Sequence, residues 1–185
     1  MKTIIQLSFL LLLALCVTAE SAYWEASVTQ VTTISPSQSS DFGRLLFKFS
    51  LPEQLNGATI DYAELIFTAT PDTGRSYICL MGAYPLTRNW ESVDLSWFDG
   101  WTNPGGDFAD TIYSSCLIGA STERLTRMDI TDIVQMWVDG TLTNYGLILM
   151  PLEDSNRFLK LHTGSALPPE AKAKVRIFFT TPARQ

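Results

Sequence analysis

The stretch from Trp90 to Asp110 concentrates the residue types that recognise sugars. Trp90, Trp97, Phe98, Trp101 and Phe108 are interleaved there with Asp94, Asp99, Asn103, Asp107 and Asp110, around a Pro104-Gly105-Gly106 turn. The C–H face of a pyranose stacks on an apolar, quadrupolar ring, while its hydroxyls need polar partners close by. A loop rich in both classes is a plausible platform on a rigid scaffold. Trp101, Trp97 and Trp90, with Asp99 and Asn103, are its candidate sugar contacts. Large aromatics are more often core than ligand-facing, so packing is the competing account of the tryptophans. The stacking account expects Trp101→Ala to weaken sugar binding without lowering thermal stability.

Two other groupings carry charge chemistry. Asp99, Asp107 and Asp110 offer carboxylates to a structural calcium ion, which wants six to eight oxygen ligands. Their spacing matches no defined calcium loop, and solvated acids or turn caps are the simpler reading, so no cofactor or metal is assigned. On the basic side, Lys172, Lys174 and Arg176 share the outward parity of one strand, and Arg44 and Lys48 that of another. If those strands lie in one sheet, the result is a basic face able to hold a polyuronate's carboxylates through charge-assisted hydrogen bonds. An ordinary solvated outer face with edge-protecting lysines is the alternative.

Enzyme chemistry is weakly signalled. The sole histidine, His162, has no nucleophile motif around it. A glycosidase needs two carboxylates at a set separation, one with a raised pKa. Glu91 with Asp94 or Asp99 offers such a pair only in the loosest sense. No phosphate loop, metal-ligand spacing or nucleophile elbow is present.

The elements that must position these residues read mainly as strands. Arg44 to Phe49 places Leu45, Phe47 and Phe49 on one face, and Ala63 to Thr68 does the same with Ala63, Leu65 and Phe67. Tyr77 to Met81 and Tyr145 to Met150 are continuous apolar runs, and Arg157 to His162 is a further candidate. Ala171 to Thr180 puts Ala173, Val175, Ile177 and Phe179 inward. Proline and glycine turns separate the runs without a βαβ rhythm, which points to an all-β, antiparallel β-sandwich. Thr131 to Gly140 is the exception. Its apolar residues at 133, 134, 137 and 138 follow helical spacing, with Thr131 as N-cap and Gly140 as the closing residue. A short helix capping one end, plugged by Trp137, is expected, with Asp129 and Thr131 as structural residues at its start.

Several of these pieces resemble a known family. Arg44 to Phe49, then Leu51-Pro52 and Gly57-Ala58-Thr59-Ile60, then Tyr62 to Phe67, are similar to the opening of the DNRLRE family of extracellular domains. Asn89-Trp90-Glu91 with Ser96-Trp97, Met128 to Val138, and Tyr145 to Leu149 continue the likeness over about residues 44–180. The resemblance implies a jelly-roll-like sandwich and a place beside polysaccharide-degrading or surface modules. Some members belong to a family of alginate-binding carbohydrate modules, which implies an acidic, alginate-like polysaccharide as partner.

Compartment follows from the N-terminus. Lys2, the apolar run Ile4 to Val17 and the small residues around Ala19 read as a secretory signal peptide, residues 1–19, before a single domain at 20–185. The run of about 14 residues is short of the ~20 a membrane span needs. Export makes an oxidised Cys79–Cys116 pair plausible, with two buried thiols as the alternative. The 185 residues carry a net charge of −6, with 46% hydrophobic and 17% charged residues. That is too apolar for disorder and too acidic for a general nucleic-acid binder. The expectation is a secreted, extracellular or cell-surface, non-catalytic module that binds polysaccharide. The alternative is a structural subunit of a surface layer, filament or matrix that partners other surface proteins, and the weakest reading is a polysaccharide lyase or glycosidase.

Overall fold

The computed structural model describes residues 19–36, 43–71, 79–91, 95–118, 124–152, 159–161 and 173–182. Residues 1–18 of the expected signal peptide, with Lys172, Asp94 and His162, lie outside them. Ten strands and one α-helix follow in order: β1 (Glu20–Ser27), β2 (Gln30–Ile34), β3 (Arg44–Lys48), β4 (Thr59–Pro71), β5 (Cys79–Pro85), β6 (Ser114–Ile118), β7 (Arg124–Asp129), α1 (Thr131–Val138), β8 (Leu147–Pro151), β9 (Leu159–Leu161) and β10 (Lys174–Thr181). A single 3-10 turn, Glu53–Leu55, precedes β4.

The strands form two five-stranded antiparallel sheets. Sheet A runs β1-β10-β4-β7, with β9 also pairing β4, and sheet B runs β2-β3-β8-β5-β6. The chain changes sheet between β1 and β2, β3 and β4, β4 and β5, β6 and β7, and on either side of β8, which gives the expected jelly-roll-like sandwich. Period-two patterning sets the inner faces. Ala63, Leu65 and Phe67 of β4 and Val175 and Ile177 of β10 are fully buried against Leu45 and Phe47 of β3 and Leu147 and Leu149 of β8. The Phe47 and Phe67 rings, one from each sheet, meet at 5.2 Å.

Four strands lack a clear hydrophobic period. In β1, β2, β6 and β7 the chain is strand-forming mainly because neighbours pair with it. β1 pairs β10 along its whole length from Glu20↔Thr181 to Ser27↔Lys174, although every residue of β1 keeps some solvent exposure.

Helix α1 has a structural task beyond plugging the end. β7 pairs β4 only from Glu64 to Ala69, so the preceding part of β4 would be left with an open edge. The helix closes it with side chains. Thr131 Oγ1 accepts the Ala63 N–H at 3.0 Å, and Gln135 Oε1 accepts the Ile60 N–H at 2.7 Å. Gln135 Nε2 donates to the Ala58 carbonyl at 3.3 Å. Thr131 is therefore not the N-cap. Ile130 occupies that position, and Asp129 Oδ1 accepts both the Thr131 N–H and its hydroxyl at 2.9 and 2.6 Å. Trp137 is buried and meets Phe49 edge-on at 5.5 Å. Gly140 closes the helix at φ 71°, as expected.

No disulfide is seen at Cys116, and the Cys79 side chain lies outside those described. In the β5–β6 ladder Cys79 faces Ile118, and Met81 faces Cys116. The cysteines are thus diagonal neighbours, a relation that sets Cα atoms roughly 7–8 Å apart. Disulfides usually need no more than about 6.8 Å.

Gln135→Leu keeps the helix but orphans the Ile60 N–H and the Ala58 carbonyl. Urea denaturation is expected to show a loss of roughly 1–3 kcal/mol, the cost of a buried group left unpaired. An unchanged midpoint would mean that the side chain does not complete the sheet.

Candidate functional site

Sheet B is apolar on both faces. Leu46 of β3 and Ile148 of β8 point away from the main core and are nonetheless fully buried, as are Ile34 and Leu86 nearly so. The connection between β5 and β6, residues 86–113, covers that face and builds a second core with Tyr84, Trp90, Trp101 and Met150. The aromatic loop is therefore a third layer. Trp90 is 3% exposed and donates its indole N–H to the Tyr145 carbonyl at 2.9 Å; Trp101 is 9% exposed and donates to the Ser96 carbonyl at 3.0 Å. Burial against sheet B removes both from the set of sugar-stacking rings. Trp97 is half-buried with the Arg44 guanidinium 4.7 Å from its ring centre.

The polar residues of this loop hold it together. Asp99 Oδ2 accepts the Ser96 hydroxyl at 2.7 Å, and Ser96 Oγ in turn accepts the Phe98 and Asp99 N–H groups. Asp107 is buried and caps a turn, accepting the Thr102 N–H at 2.7 Å and the Asn103 N–H at 3.0 Å. Burial pushes its carboxyl up, but these hydrogen bonds win and hold it below the usual range. Asn103 is exposed, and its amide lies 3.5 Å from Asp107. Among the described residues no group of three or more acidic, histidine or cysteine side chains is arranged to hold a metal.

Beside the loop lies an open pocket of about 620 Å³. Arg44, Arg88, Asn103, Phe108 and Asp110 line it. Arg44 comes from β3 and lies between the Trp97 and Phe108 rings, 4.7 and 5.2 Å from their centres. Its Nη1 donates to the Gly105 carbonyl. Gly105 has φ 90°, and a Cβ there would stand 2.7 Å from Arg44 Nη1 and 2.8 Å from the Trp97 ring, so only glycine lets the loop close on the arginine.

The expected basic face does not form. β3 lies in sheet B and β10 in sheet A, so Arg44 and Lys48 are on the opposite layer from Lys174 and Arg176. Among the described residues of that set, Lys48, Lys174 and Arg176 also face carboxylates. Lys48 Nζ donates to Asn89 Oδ1 at 2.8 Å and to the Trp90 carbonyl at 3.0 Å, and lies 3.5 Å from Glu91. Lys174 and Arg176 both pair with Glu25, at 3.0 and 2.9 Å. Glu91 hydrogen-bonds Gln30 and faces Lys48, which together hold its carboxyl below the usual range, the opposite of what a glycosidase acid needs.

The loop leaves Phe98 exposed by itself, whereas the outer face of sheet A carries a continuous row of exposed rings. The register aligns Tyr23 of β1, Phe178 of β10 and Tyr62 of β4 in one row across three strands. Ring centres are 5.0 Å apart for Tyr23–Phe178 and 6.4 Å for Tyr62–Phe178. The three are 51%, 41% and 38% exposed. The next row is Glu25, Arg176 and Glu64. Arg176 bridges both carboxylates, and Arg127 reaches Glu64 at 2.7 Å. The Tyr23 hydroxyl donates to Glu25 at 2.6 Å, and the Tyr62 hydroxyl lies 3.4 Å from Glu64. Hydrogen bonds from Tyr23 first, then Lys174 and Arg176, bring the Glu25 carboxyl down to about 2. The same contact raises the Tyr23 phenol.

The sequence reading missed this row, although a signal existed. The outward parity of Lys172, Lys174 and Arg176 continues to Phe178. What could not be read was that β1 is the partner strand that brings Tyr23 beside it.

No protein-family model matches the chain, and no curated protein matches it. Among the described residues no helix is long and apolar enough to cross a membrane.

Two outcomes follow from this geometry. Trp101→Ala is expected to destabilise by about 3–5 kcal/mol in chemical denaturation, as for a buried tryptophan, reversing the expectation from sequence. Glu25, with its folded pKa depressed, contributes stability that is present above the unfolded carboxyl value near 4.5 and lost as pH falls toward about 2. The stability gap between the native chain and Glu25→Gln should therefore shrink across that window. Its size at neutral pH is of the order of 1 kcal/mol, because the pair is solvent-screened; a gap independent of pH would show that the Glu25 contacts do not favour its charged form.

Proposed function

We propose that the chain is a secreted, non-catalytic β-sandwich that binds an extracellular polysaccharide across the outer face of sheet A. The observation that carries this reading is the exposed row Tyr23–Phe178–Tyr62 beside the charged row Glu25–Arg176–Glu64. Rings supply stacking surface, and the adjoining carboxylates and guanidinium supply acceptors and donors for hydroxyls. The row needs no induced order. Strand pairing fixes the backbone, and the hydrogen bonds to Glu25 and Glu64 hold both tyrosine hydroxyls, which reduces the ordering cost of binding.

Because Lys174 and Arg176 are neutralised by neighbours, this face favours a polymer recognised by stacking rather than by charge. An acidic, alginate-like partner thus draws its support from the likeness to DNRLRE domains, not from this ladder. Secretion is supported by the apolar N-terminal run and the small residues around Ala19. A role as a surface-assembly subunit has one feature in its favour: among the described residues β6 pairs β5 alone, and Leu117 on it is 65% exposed.

Affinity gel electrophoresis with a panel of neutral and acidic polymers tests the proposal. One polymer should retard the native chain saturably, and Tyr23→Ala with Phe178→Ala should weaken that retardation at least tenfold, about 1.4 kcal/mol. Thermal stability should change little, since exposed cross-strand pairs contribute roughly 0.2–1 kcal/mol each. Retardation that survives the double substitution would move the site elsewhere. No retardation by any polymer, with concentration-dependent assembly in sedimentation, would replace the reading with the structural one.

A further inference from the structure

The pocket over sheet B has a different electrostatic problem from the ladder on sheet A. Arg88 lies 3.8 Å from Asp107 and donates to Thr102 Oγ1 at 3.0 Å, so its charge has a partner. Arg44 has none among the described residues. Its contacts are the Gly105 carbonyl and two aromatic faces, and its Nε finds no acceptor. A half-buried guanidinium without a counter-ion is costly, and ring faces offset only part of that cost. Burial accordingly pushes Arg44 below the ordinary guanidinium range.

We propose that this pocket is an anion site, taking a single carboxylate or sulfate group carried by a small ligand, with Arg44 as its principal charge partner. Arg88 and the amide of Asn103 stand on the same walls and supply further donors. The volume of about 620 Å³ falls in the range of small-ligand pockets. Phe108 offers an apolar wall. Two carboxylates also line the pocket: Asp107, whose oxygens are taken up by the Thr102 and Asn103 N–H groups and by Arg88, and the exposed Asp110, which opposes an incoming anion. The site is separate from the proposed polysaccharide face, because β3 and the loop belong to the opposite layer.

Thermal shift and calorimetric titration of the full chain with sodium D-glucuronate test the site. Inorganic sulfate is run as a second probe, and D-glucose with sodium chloride at matched ionic strength as control. A saturable response to glucuronate, to sulfate or to both, absent in the control, is expected; the two probes separate carboxylate from sulfate preference. Arg44→Gln should weaken the response at least tenfold. Since Arg44 also packs against Trp97, the exposed Asp110→Asn provides the second variant. It should tighten binding roughly threefold by removing a nearby like charge. No saturable response to either probe, undiminished binding by a folded Arg44→Gln, or weaker binding by Asp110→Asn would overturn the proposal. Polymer retardation by the sheet A face is read separately, so the two sites can fail independently.

Discussion

Sheet B is greasy on both sides, and most of the molecule is arranged around that fact. Leu45, Phe47, Leu147 and Leu149 face one way, Leu46 and Ile148 the other, and all six are essentially excluded from water. Burying a leucine or isoleucine is worth roughly 1.5–3 kcal/mol, so a sheet of this kind cannot leave either side open. Sheet A covers one side. The long β5–β6 connection covers the other, and its tryptophans are the material of that cover. Their indole N–H groups are satisfied by the carbonyls of Ser96 and Tyr145, as burial of a polar tip requires.

The same constraint divides the surfaces available for recognition. Once the loop lies on sheet B, the outer face of sheet A carries an aromatic row open to solvent, while the loop layer exposes Phe98 and keeps a polar pocket beside it. The two differ in electrostatic character. On sheet A the charges are interlocked, with Glu64 almost wholly buried and accepting both Arg127 and Arg176. In the pocket Arg44 is held by rings and a carbonyl, with no carboxylate paired to it among the described residues. One face is fitted to stacking and the other to a charged group.

The architecture was legible wherever inward and outward residues differed in polarity. β4 and β10 alternate, so their inner faces could be named residue by residue. The unbroken run at Leu147–Met150 was a sign that β8 is buried on both sides, yet the material on its far side could not be named, because that depends on where a 28-residue connection folds back. Trp90 and Trp101 illustrate the limit. An aromatic, aspartate-rich loop has the same composition whether its rings face solvent or a second core. The basic face failed for a related reason: outward parity says which side of a strand a lysine occupies, not which sheet holds the strand. Pairing partners such as Glu25 come from β1, whose own pattern is too faint to reveal it as the neighbour of β10. The helix was found by its spacing, but its N-cap falls one residue earlier, at Ile130, since the Thr131 hydroxyl is claimed by a strand 68 positions away in the chain.

β1 and β10 run antiparallel along one border of the molecule, with Glu20 opposite Thr181. Tension drawn through those two residues would load the rungs between the strands one after another, as in opening a zip, instead of sharing the load among them. The first ring pair on that path is Tyr23 with Phe178. A pulled molecule would therefore part its outer aromatic row before its interior gave way, so that this border would act as a mechanical fuse. Detachment force that scales with the strength of the whole fold would contradict this picture.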